Sequence, residues 1–295
     1  MTRDHSLDPT TLGFSTACFA RHSIAQAAEK GGRLGFRAIE LLAFDGARHS
    51  QGPLAGFWFD RMSATERQRL RAIVEPFEHV STHAPFIDLP LFTHNPGIHE
   101  ECVRQIRVAI EATAFLGGHT TTMHINSRTQ CQYGDYVSEV IETLRALGDA
   151  AAAAGVTITV ETGFPSSNDA FVETVMAVGH PAVGANVDVG HIVGHLPAAL
   201  RGTDAGKEMF EKQLLALVRA LGDKAYHFHL HDVRANDFRD HRRVGVGVVP
   251  FPALFRLLTE MGYDGLLIFE LEEPDFEAAL SESRDYVLRC MTGAT

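Results

Sequence analysis

Cysteine is scarce in this sequence, and the four cysteines form no recognisable pair. Cys18, Cys102, Cys131 and Cys290 are widely separated, and none belongs to a C-x-x-C motif. Such spacing indicates neither a disulfide framework nor a thiolate zinc site. We therefore expect reduced cysteines that serve mainly in packing.

A long hydrophobic run is also absent. No uninterrupted apolar stretch is long enough to span a bilayer, and residues 1–6 lack the apolar core of a signal peptide. We therefore expect a cytoplasmic protein without a membrane partner. The hydrophobic fraction of 45% with 21% charged residues is that of an ordinary globular chain.

Positive charge is in the minority. The chain has 26 Lys and Arg against 37 Asp and Glu, which gives a net charge of −11. Such a chain has no overall attraction for a polyanion, although a local basic patch is compatible with this balance. Nucleic acid is therefore not expected as a partner.

Lysine is rare and poorly placed for catalysis. Lys30, Lys207 and Lys212 lie in segments with a helical pattern, and Lys224 precedes a strand-like run rather than following one. Schiff-base chemistry is therefore not expected. A Gly-x-Ser-x-Gly elbow and a P-loop are absent as well, so neither of those two catalytic motifs is available.

Strand-like and helix-like segments alternate along the whole chain. The strand-like runs end near Phe14, Glu40, His83, His124, Glu161, Asp188, His229 and Glu270. Amphipathic segments follow them at about 22–34, 63–76, 96–117, 135–154, 168–179, 206–222, 251–262 and 275–290. Eight strand–helix units in this length predict an α/β fold, a (β/α)₈ TIM barrel. Because no Pro/Ser-rich linker interrupts the pattern, we expect a single domain over residues 1–295.

Four polar residues each stand directly after a strand-like run in the second half of the chain. The residues are Glu161, Asp188, His229 and Glu270, here called the quartet. In a barrel all strand ends meet at one rim, which is where the active sites of this fold lie. An open doubly wound sheet would also alternate strands and helices, but it would spread the quartet along a row. Convergence of the quartet therefore favours the barrel.

The composition of the quartet indicates a bound cation. Each carboxylate alone has an ordinary alternative as a helix N-cap, an arginine partner or a solvated loop residue. Three carboxylates and one imidazole at one rim would be costly to bury together unless a cation neutralised them. This mostly oxygen donor set favours manganese, magnesium or cobalt, and zinc is compatible with it.

Short motifs in a fixed order carry a family resemblance over nearly the whole chain. They occupy residues 34–41, 83–86, 160–162, 188–191, 229–232, 245–247 and 262–265. With these motifs the sequence resembles the xylose isomerase-like TIM barrel superfamily, in its branch of sugar phosphate isomerases and epimerases. That branch also includes inosose dehydratases and hydroxypyruvate isomerases, and it is distantly related to endonuclease IV.

The resemblance implies a role for each residue that matches the family's motifs. It makes the quartet the ligands of one divalent metal ion, and it makes Glu161 and Glu270 a catalytic base and acid as well. It also implies that His83, His124, His191 and His241 line the substrate pocket. His83 and His124 have an alternative as hydrogen-bonded rim residues, and His191, which would contact either the substrate or a further metal, has one as a polar loop residue. His241 matches a position where sugar epimerases usually have a substrate-binding arginine and endonuclease IV has a zinc-binding histidine.

The resemblance implies an enzyme of carbohydrate metabolism with a small carbohydrate-like substrate. A divalent-metal-dependent isomerase or epimerase would remove a proton next to the carbonyl of a keto sugar or related polyol compound, through a metal-stabilised enediolate. Loss of a β-hydroxyl from the same enediolate would give a dehydratase of the inosose or dehydroshikimate type. The reaction type therefore stays open beyond the first proton transfer.

Two further alternatives differ in class. His83, His124 and His241 match zinc-binding histidines of endonuclease IV, so a metal-dependent phosphoester hydrolase is one alternative function. Arg239 stands where that enzyme has an aspartate, however, and a trinuclear site would be incomplete. A non-catalytic binding barrel is the other alternative, but such a protein would have lost a ligand, and all members of the quartet are present.

The long segment 44–62 is expected to influence specificity. It contains Phe57, Trp58 and Phe59 in a polar, glycine-rich setting, where three aromatic side chains need a partner surface. We interpret Trp58 as a substrate-binding residue on a lid. The alternative is a hydrophobic patch that folds onto the barrel or onto a second subunit, which leaves a homo-oligomer open.

Overall fold

The structure is a computed structural model that describes residues 6–125 and 132–293. Cys131 and the first five residues, which entered the sequence interpretation, lie outside the described residues. The described cysteines, Cys18, Cys102 and Cys290, are buried and form no disulfide. They pack as the sequence predicts.

Parallel strands close into a barrel. In chain order they are β1 (Leu12–Ser15), β2 (Ala38–Leu42), β3 (His79–His83), β4 (Thr120–Met123), β5 (Thr157–Glu161), β6 (Val183–Asp188), β7 (Ala225–Leu230) and β8 (Leu266–Phe269). Each strand pairs with the next one along the chain, and β8 pairs with β1. The predicted (β/α)₈ barrel is therefore confirmed.

A helix follows each barrel strand. The helices are α1 (Ile24–Arg33), α2 (Ala64–Val74), α3 (Pro96–Phe115), α4 (Tyr133–Ala153), α5 (Asn168–Val178), α6 (Asp204–Leu221), α7 (Phe251–Met261) and α8 (Phe276–Thr292). Ser23 and Ser63 start α1 and α2 with capping boxes. Within the described residues, none of these helices has the length and apolarity needed to cross a membrane.

Two strand ends differ from the sequence prediction in a way that matters for the site. The second strand continues two residues beyond Glu40, to Leu42, because Leu41 and Leu42 are apolar and buried. Glu40 therefore lies within the barrel rather than at its rim. His229 likewise lies one residue before the end of β7.

The barrel interior contains a layer that is mostly polar. Six fully buried side chains form this inner layer, one from each of the strands β3 to β8: Ser81, Thr122, Thr159, Asn186, His227 and Ile268. Hydrogen bonds join Thr122 to Thr159 at 3.2 Å, and the amide of Asn186 to Glu161 at 3.1 Å. Branched apolar residues usually fill this part of a TIM barrel. Here the layer is largely polar, and Asn186 gives hydrogen-bonding support to Glu161 above it.

The segment between β2 and α2 folds over one part of the rim. It contains a short antiparallel hairpin, Arg48–His49 with Gly52–Pro53, and a 3-10 helix at Phe59–Arg61. The imidazole Nε2 of His49 lies 2.9 Å from the carbonyl oxygen of Ala17, next to β1. This contact fixes the hairpin against the mouth of the barrel.

Candidate metal centre

Side chains from six successive strands converge at the carboxyl rim of the barrel. They are His83, His124, Glu161, Asp188, His229 and Glu270. Each stands two positions after the inner-layer residue of its own strand, so strand alternation points it inward. The quartet that the sequence singles out is therefore brought together at one point.

Glu161 is the hub of this cluster. Its Oε2 lies 3.2 Å from His83 Nε2 and 3.3 Å from His229 Nδ1. Its Oε1 lies 3.0 Å from His191 Nδ1 and 3.6 Å from His124 Nε2. With its side chain only 1% exposed, the carboxylate is surrounded by imidazoles and has little contact with solvent.

The two carboxylate oxygens of Asp188 differ in their hydrogen bonding. Its Oδ1 accepts hydrogen bonds from the backbone N–H groups of Gly190 and His191, at 3.0 and 2.9 Å. The ring Nε2 of His231 lies 2.8 Å from the same oxygen. Oδ2 is buried and has no hydrogen-bond partner among the described residues. Asp188 is thus held rigidly with one oxygen aimed at the centre of the cluster.

His229 presents a second unpaired buried atom to the same point. Its Nδ1 lies 3.1 Å from Glu270 Oε2 and 3.8 Å from Asp188 Oδ2, yet it makes no hydrogen bond within the described part of the chain. Ligand atoms of Glu161, Asp188 and His229 all lie within 4.8 Å of one another. Two orphaned buried atoms among carboxylate oxygens and one imidazole fit a divalent cation.

Three neighbouring groups of side chains also have metal-binding spacing. Two lie at the rim, namely His83, His124 and Glu161, and Asp188, His191 and His241. The third, Glu40, His227 and His229, lies inside the barrel. Each of the two rim groups shares a carboxylate with the quartet. The rim therefore offers overlapping positions for more than one cation.

His241 reaches the centre from the loop after β7. Its backbone is in the left-handed region, with φ of 55°, which is uncommon for a residue other than glycine. Its N–H donates to His231 Nδ1 at 2.9 Å, and its ring stacks on His231 with centroids 4.2 Å apart. Its Nε2 lies 3.8 Å from Glu270 Oε2. The left-handed backbone at His241 is locally strained, and it places this imidazole beside the quartet.

The carboxylates of the quartet are held ionised by their histidine neighbours. Burial alone would raise the pKa values of Glu161, Asp188 and Glu270, but nearby imidazoles outweigh burial and lower the pKa of each. Conversely, carboxylates raise the pKa of His229 well above its usual value despite burial. Burial, by contrast, lowers the pKa of His124 to about 4.

In the metal-free protein, the contribution of His191 to folding stability is expected to fall as pH rises. Burial alone would lower the pKa of His191, but Asp188 and Glu161 outweigh it and raise the pKa to about 9. Stabilisation from a raised pKa is complete below the unfolded value of about 6.5 and disappears as pH rises through about 9. In a chelator, His191→Gln should therefore lower Tm more at pH 6 than at pH 9.5. Equal losses of Tm at the two pH values would contradict this pairing.

A cavity of about 250 Å³ opens directly above the centre. Polar groups form its floor, and they include His83, His124, His191, His241 and the carboxylates Glu161 and Glu270. Much of the wall is apolar and is formed by Ala17, Leu42, Phe44, Leu54, Phe86 and Leu271. All four predicted pocket histidines therefore line the cavity.

Trp58 does not line this cavity. It packs instead behind the wall, against a small cluster of Ala17, Leu42, Phe44 and Ala47. Residues of the predicted lid segment do reach the cavity, through Phe44, Ala47, Arg48, His49 and Leu54. The aromatic residues thus fold onto the barrel, and a contact between Trp58 and a substrate stays a prediction.

The Gly245-Val246-Gly247 motif has a structural explanation. The three backbone N–H groups all donate to Oδ2 of Asp232, at 2.9, 3.1 and 2.8 Å. Oδ1 accepts from the N–H groups of Val233 and Val249. A Cβ at position 247 would lie 2.2 Å from Oδ1, so glycine is needed there. These donors are occupied, and the buried Asp232 fixes the loop that carries His241.

Sequence reasoning missed three buried residues near the centre: Glu40, His227 and His231. All are fully buried. His227 and His231 stand two positions before and after His229, so the period of a strand could have placed them on the same inward side. The sequence pattern predicts Glu40 only as a strand end, because it does not include Leu41 and Leu42 in the strand.

Comparison with known proteins gives both a family and structural neighbours. A family model described as xylose isomerase-like TIM barrel matches residues 26–290. The uncharacterised protein MJ1311 of Methanocaldococcus jannaschii is 25% identical over 271 residues, which covers 88% of this chain and 83% of that protein.

Two solved structures illustrate the shared fold. D-psicose 3-epimerase from Clostridium cellulolyticum H10, solved with D-tagatose, has a TM-score of 0.74 at 15% identity and covers 95% of this chain and 99% of its own. A xylose isomerase-like protein from Mycobacterium smegmatis in complex with magnesium has a TM-score of 0.72 at 17% identity, with coverage of 96% and 97%. At these identities the likeness is one of fold.

Proposed function

The chain belongs to the xylose isomerase-like TIM barrel family, and on that premise we propose that it is a divalent-metal-dependent isomerase or epimerase of a carbohydrate-like keto compound. The observation that carries the proposal is the pair of unpaired buried atoms, Asp188 Oδ2 and His229 Nδ1, at a point enclosed by carboxylates below a cavity. Such atoms are costly to bury unless a ligand satisfies them.

In this proposal the quartet holds the cation. Manganese, magnesium and cobalt suit its oxygen-rich donor set, and zinc is compatible with it. When bound, the cation would polarise the substrate carbonyl and so acidify the neighbouring C–H bond. The magnesium complex of the Mycobacterium smegmatis relative supports a hard cation here.

Glu161 and Glu270 move the proton in this proposal. Both line the cavity, and they project from β5 and just after β8, so they approach a substrate from different directions. The Glu270 side chain is 18% exposed against 1% for Glu161, which leaves Glu270 the better placed to exchange a proton with the substrate or with water. His191 and His241 would orient the substrate's polar groups.

One part of the cavity wall suits an apolar region of the substrate. The floor offers imidazoles and carboxylates, and Arg48, His49 and Glu272 add polar groups elsewhere in the lining, whereas side chains such as Leu42, Phe86 and Leu271 offer no hydrogen bond. A hydroxyl buried against that wall would stay unsatisfied, at a cost of about 1–3 kcal/mol. The D-tagatose bound to the Clostridium enzyme supports a keto sugar or a similar compound.

Two measurements test the proposal. Elemental analysis of the purified protein should find one divalent metal per chain. Incubation in D₂O with keto sugars, inososes and hydroxypyruvate should show metal-dependent exchange of a substrate C–H proton, which NMR detects. A dehydratase would show the same exchange together with loss of water. Absence of bound metal after supplementation would overturn the proposal and favour a binding barrel.

A phosphoester hydrolase is the second candidate, because the rim offers the two extra donor groups built on His83 with His124 and on His191 with His241. Two or three metals per chain, with phosphoester hydrolysis and no proton exchange, would support it. Arg239 weighs against it, since its guanidinium lies 3.6 Å from Glu272 Oε2 and supplies no ligand.

A further inference from the structure

Glu40 is a buried carboxylate that does not line the cavity. It lies on β2 below the centre, with no solvent exposure. Its Oε1 lies 3.0 Å from His229 Nε2, and its Oε2 accepts a hydrogen bond from Ser81 Oγ at 3.1 Å and lies 3.2 Å from His227 Nε2. A buried charge is costly compared with an apolar residue of similar size. Its presence in the barrel therefore calls for an explanation beyond packing.

The contact with His229 determines which ring nitrogen carries a proton. A carboxylate only accepts hydrogen bonds, so the short contact to Glu40 places a proton on Nε2 of His229. The other nitrogen, Nδ1, faces the quartet. In a neutral imidazole with Nε2 protonated, Nδ1 carries the lone pair that a metal ion requires.

We propose that Glu40 is the positioning residue of the metal centre. By accepting the Nε2–H of His229, it selects the tautomer that binds metal through Nδ1, fixes the plane of the ring and makes Nδ1 a stronger donor. The inference rests on the metal centre proposed above and adds to it a residue from β2, outside the six strands that form the rim cluster. Glu40 acts through His229 and touches neither cation nor substrate.

His227 provides a purely structural alternative. It lies close to the other oxygen of Glu40 and is fully buried, but its strand points it into the inner layer, away from the quartet. If Glu40 served only to neutralise or pack against His227, the loss of either residue would have the same effect. Replacing His227 is therefore the matched control.

The test measures metal affinity of the metal-free protein by titration with Co²⁺, together with Tm without metal. Glu40→Leu removes the acceptor and should raise the Kd for Co²⁺ by about 10- to 100-fold, the usual effect of losing such a partner. Glu40→Gln retains a carbonyl acceptor without the charge, so its Kd should lie between wild type and Glu40→Leu. His227→Gln should change the Kd by less than about threefold, even if its Tm falls.

The outcomes separate this inference from the proposed function. If wild type binds Co²⁺ and both Glu40 variants bind it equally well, the positioning role is overturned and the metal centre stands. The positioning role is likewise overturned if His227→Gln weakens binding as much as Glu40→Leu does. If the variants lose affinity as expected but wild type exchanges no substrate proton, the positioning role stands and the isomerase proposal fails. If Glu40→Leu does not fold, the Kd of Glu40→Gln decides. Wild type that binds no divalent metal overturns both.

Discussion

Replacing Glu270 by glutamine is expected to lower kcat for substrate proton exchange by about 10²- to 10⁴-fold, the range that a general acid or base contributes. The amide has nearly the same size as the carboxyl group but cannot take up or release a proton. Glu270 lies 3.1 Å from His229 Nδ1, and its side chain, 18% exposed against 1% for Glu161, is the more accessible of the two glutamates that line the cavity. Metal-dependent exchange followed by NMR measures the loss.

An exposed glutamate provides the control for this substitution. Glu260 lies on the solvent-exposed side of α7, and its change to glutamine should leave kcat unaltered. The fold of the Glu270→Gln variant should be retained, which circular dichroism and Tm can verify. A Glu270→Gln protein that exchanges substrate protons at the wild-type rate would remove Glu270 from the proposed chemistry.

Replacing Asp188 by asparagine is expected to raise the Kd for the metal by at least about 100-fold. Loss of a residue that only hydrogen-bonds to a metal ligand costs about 10- to 100-fold in affinity, and Asp188 is proposed as a ligand itself. Oδ1 accepts hydrogen bonds from Gly190, His191 and His231, so only an oxygen is tolerated there. The asparagine must therefore turn its NH₂ group toward the position that Oδ2 holds. A hydrogen-bond donor would then face the cation.

Metal titration of the purified variant checks this expectation. Asp149→Asn is the matched control, because Asp149 is 81% exposed on α4 and pairs with His180 at 3.3 Å, away from the quartet. Its metal affinity should equal that of wild type. An unchanged metal affinity in Asp188→Asn would mean that the cation binds elsewhere along the rim. The group of His83, His124 and Glu161 would then be the next candidate site.

The barrel and most of the centre were accessible from the sequence because both depend on local periodicity. Apolar runs that end in a polar residue predict strands and their rim, and the quartet then follows from closure of the barrel. Glu40 escaped this reasoning, since the position of a strand end within two residues decides whether a side chain lies at the rim or inside. Trp58 shows the converse limit. Its aromatic character signals burial, but only tertiary packing selects the surface that covers it.

The carboxylate of Asp232 has a consequence for how the protein meets its ligand. Five backbone N–H groups of the loop between β7 and α7 converge on this one side chain, and His241 lies within the loop they fix. The entropy of ordering that loop is thus spent when the chain folds, not when a ligand arrives. One side of the cavity mouth is therefore preorganised, and a ligand meets the imidazole of His241 already in place rather than having to recruit it.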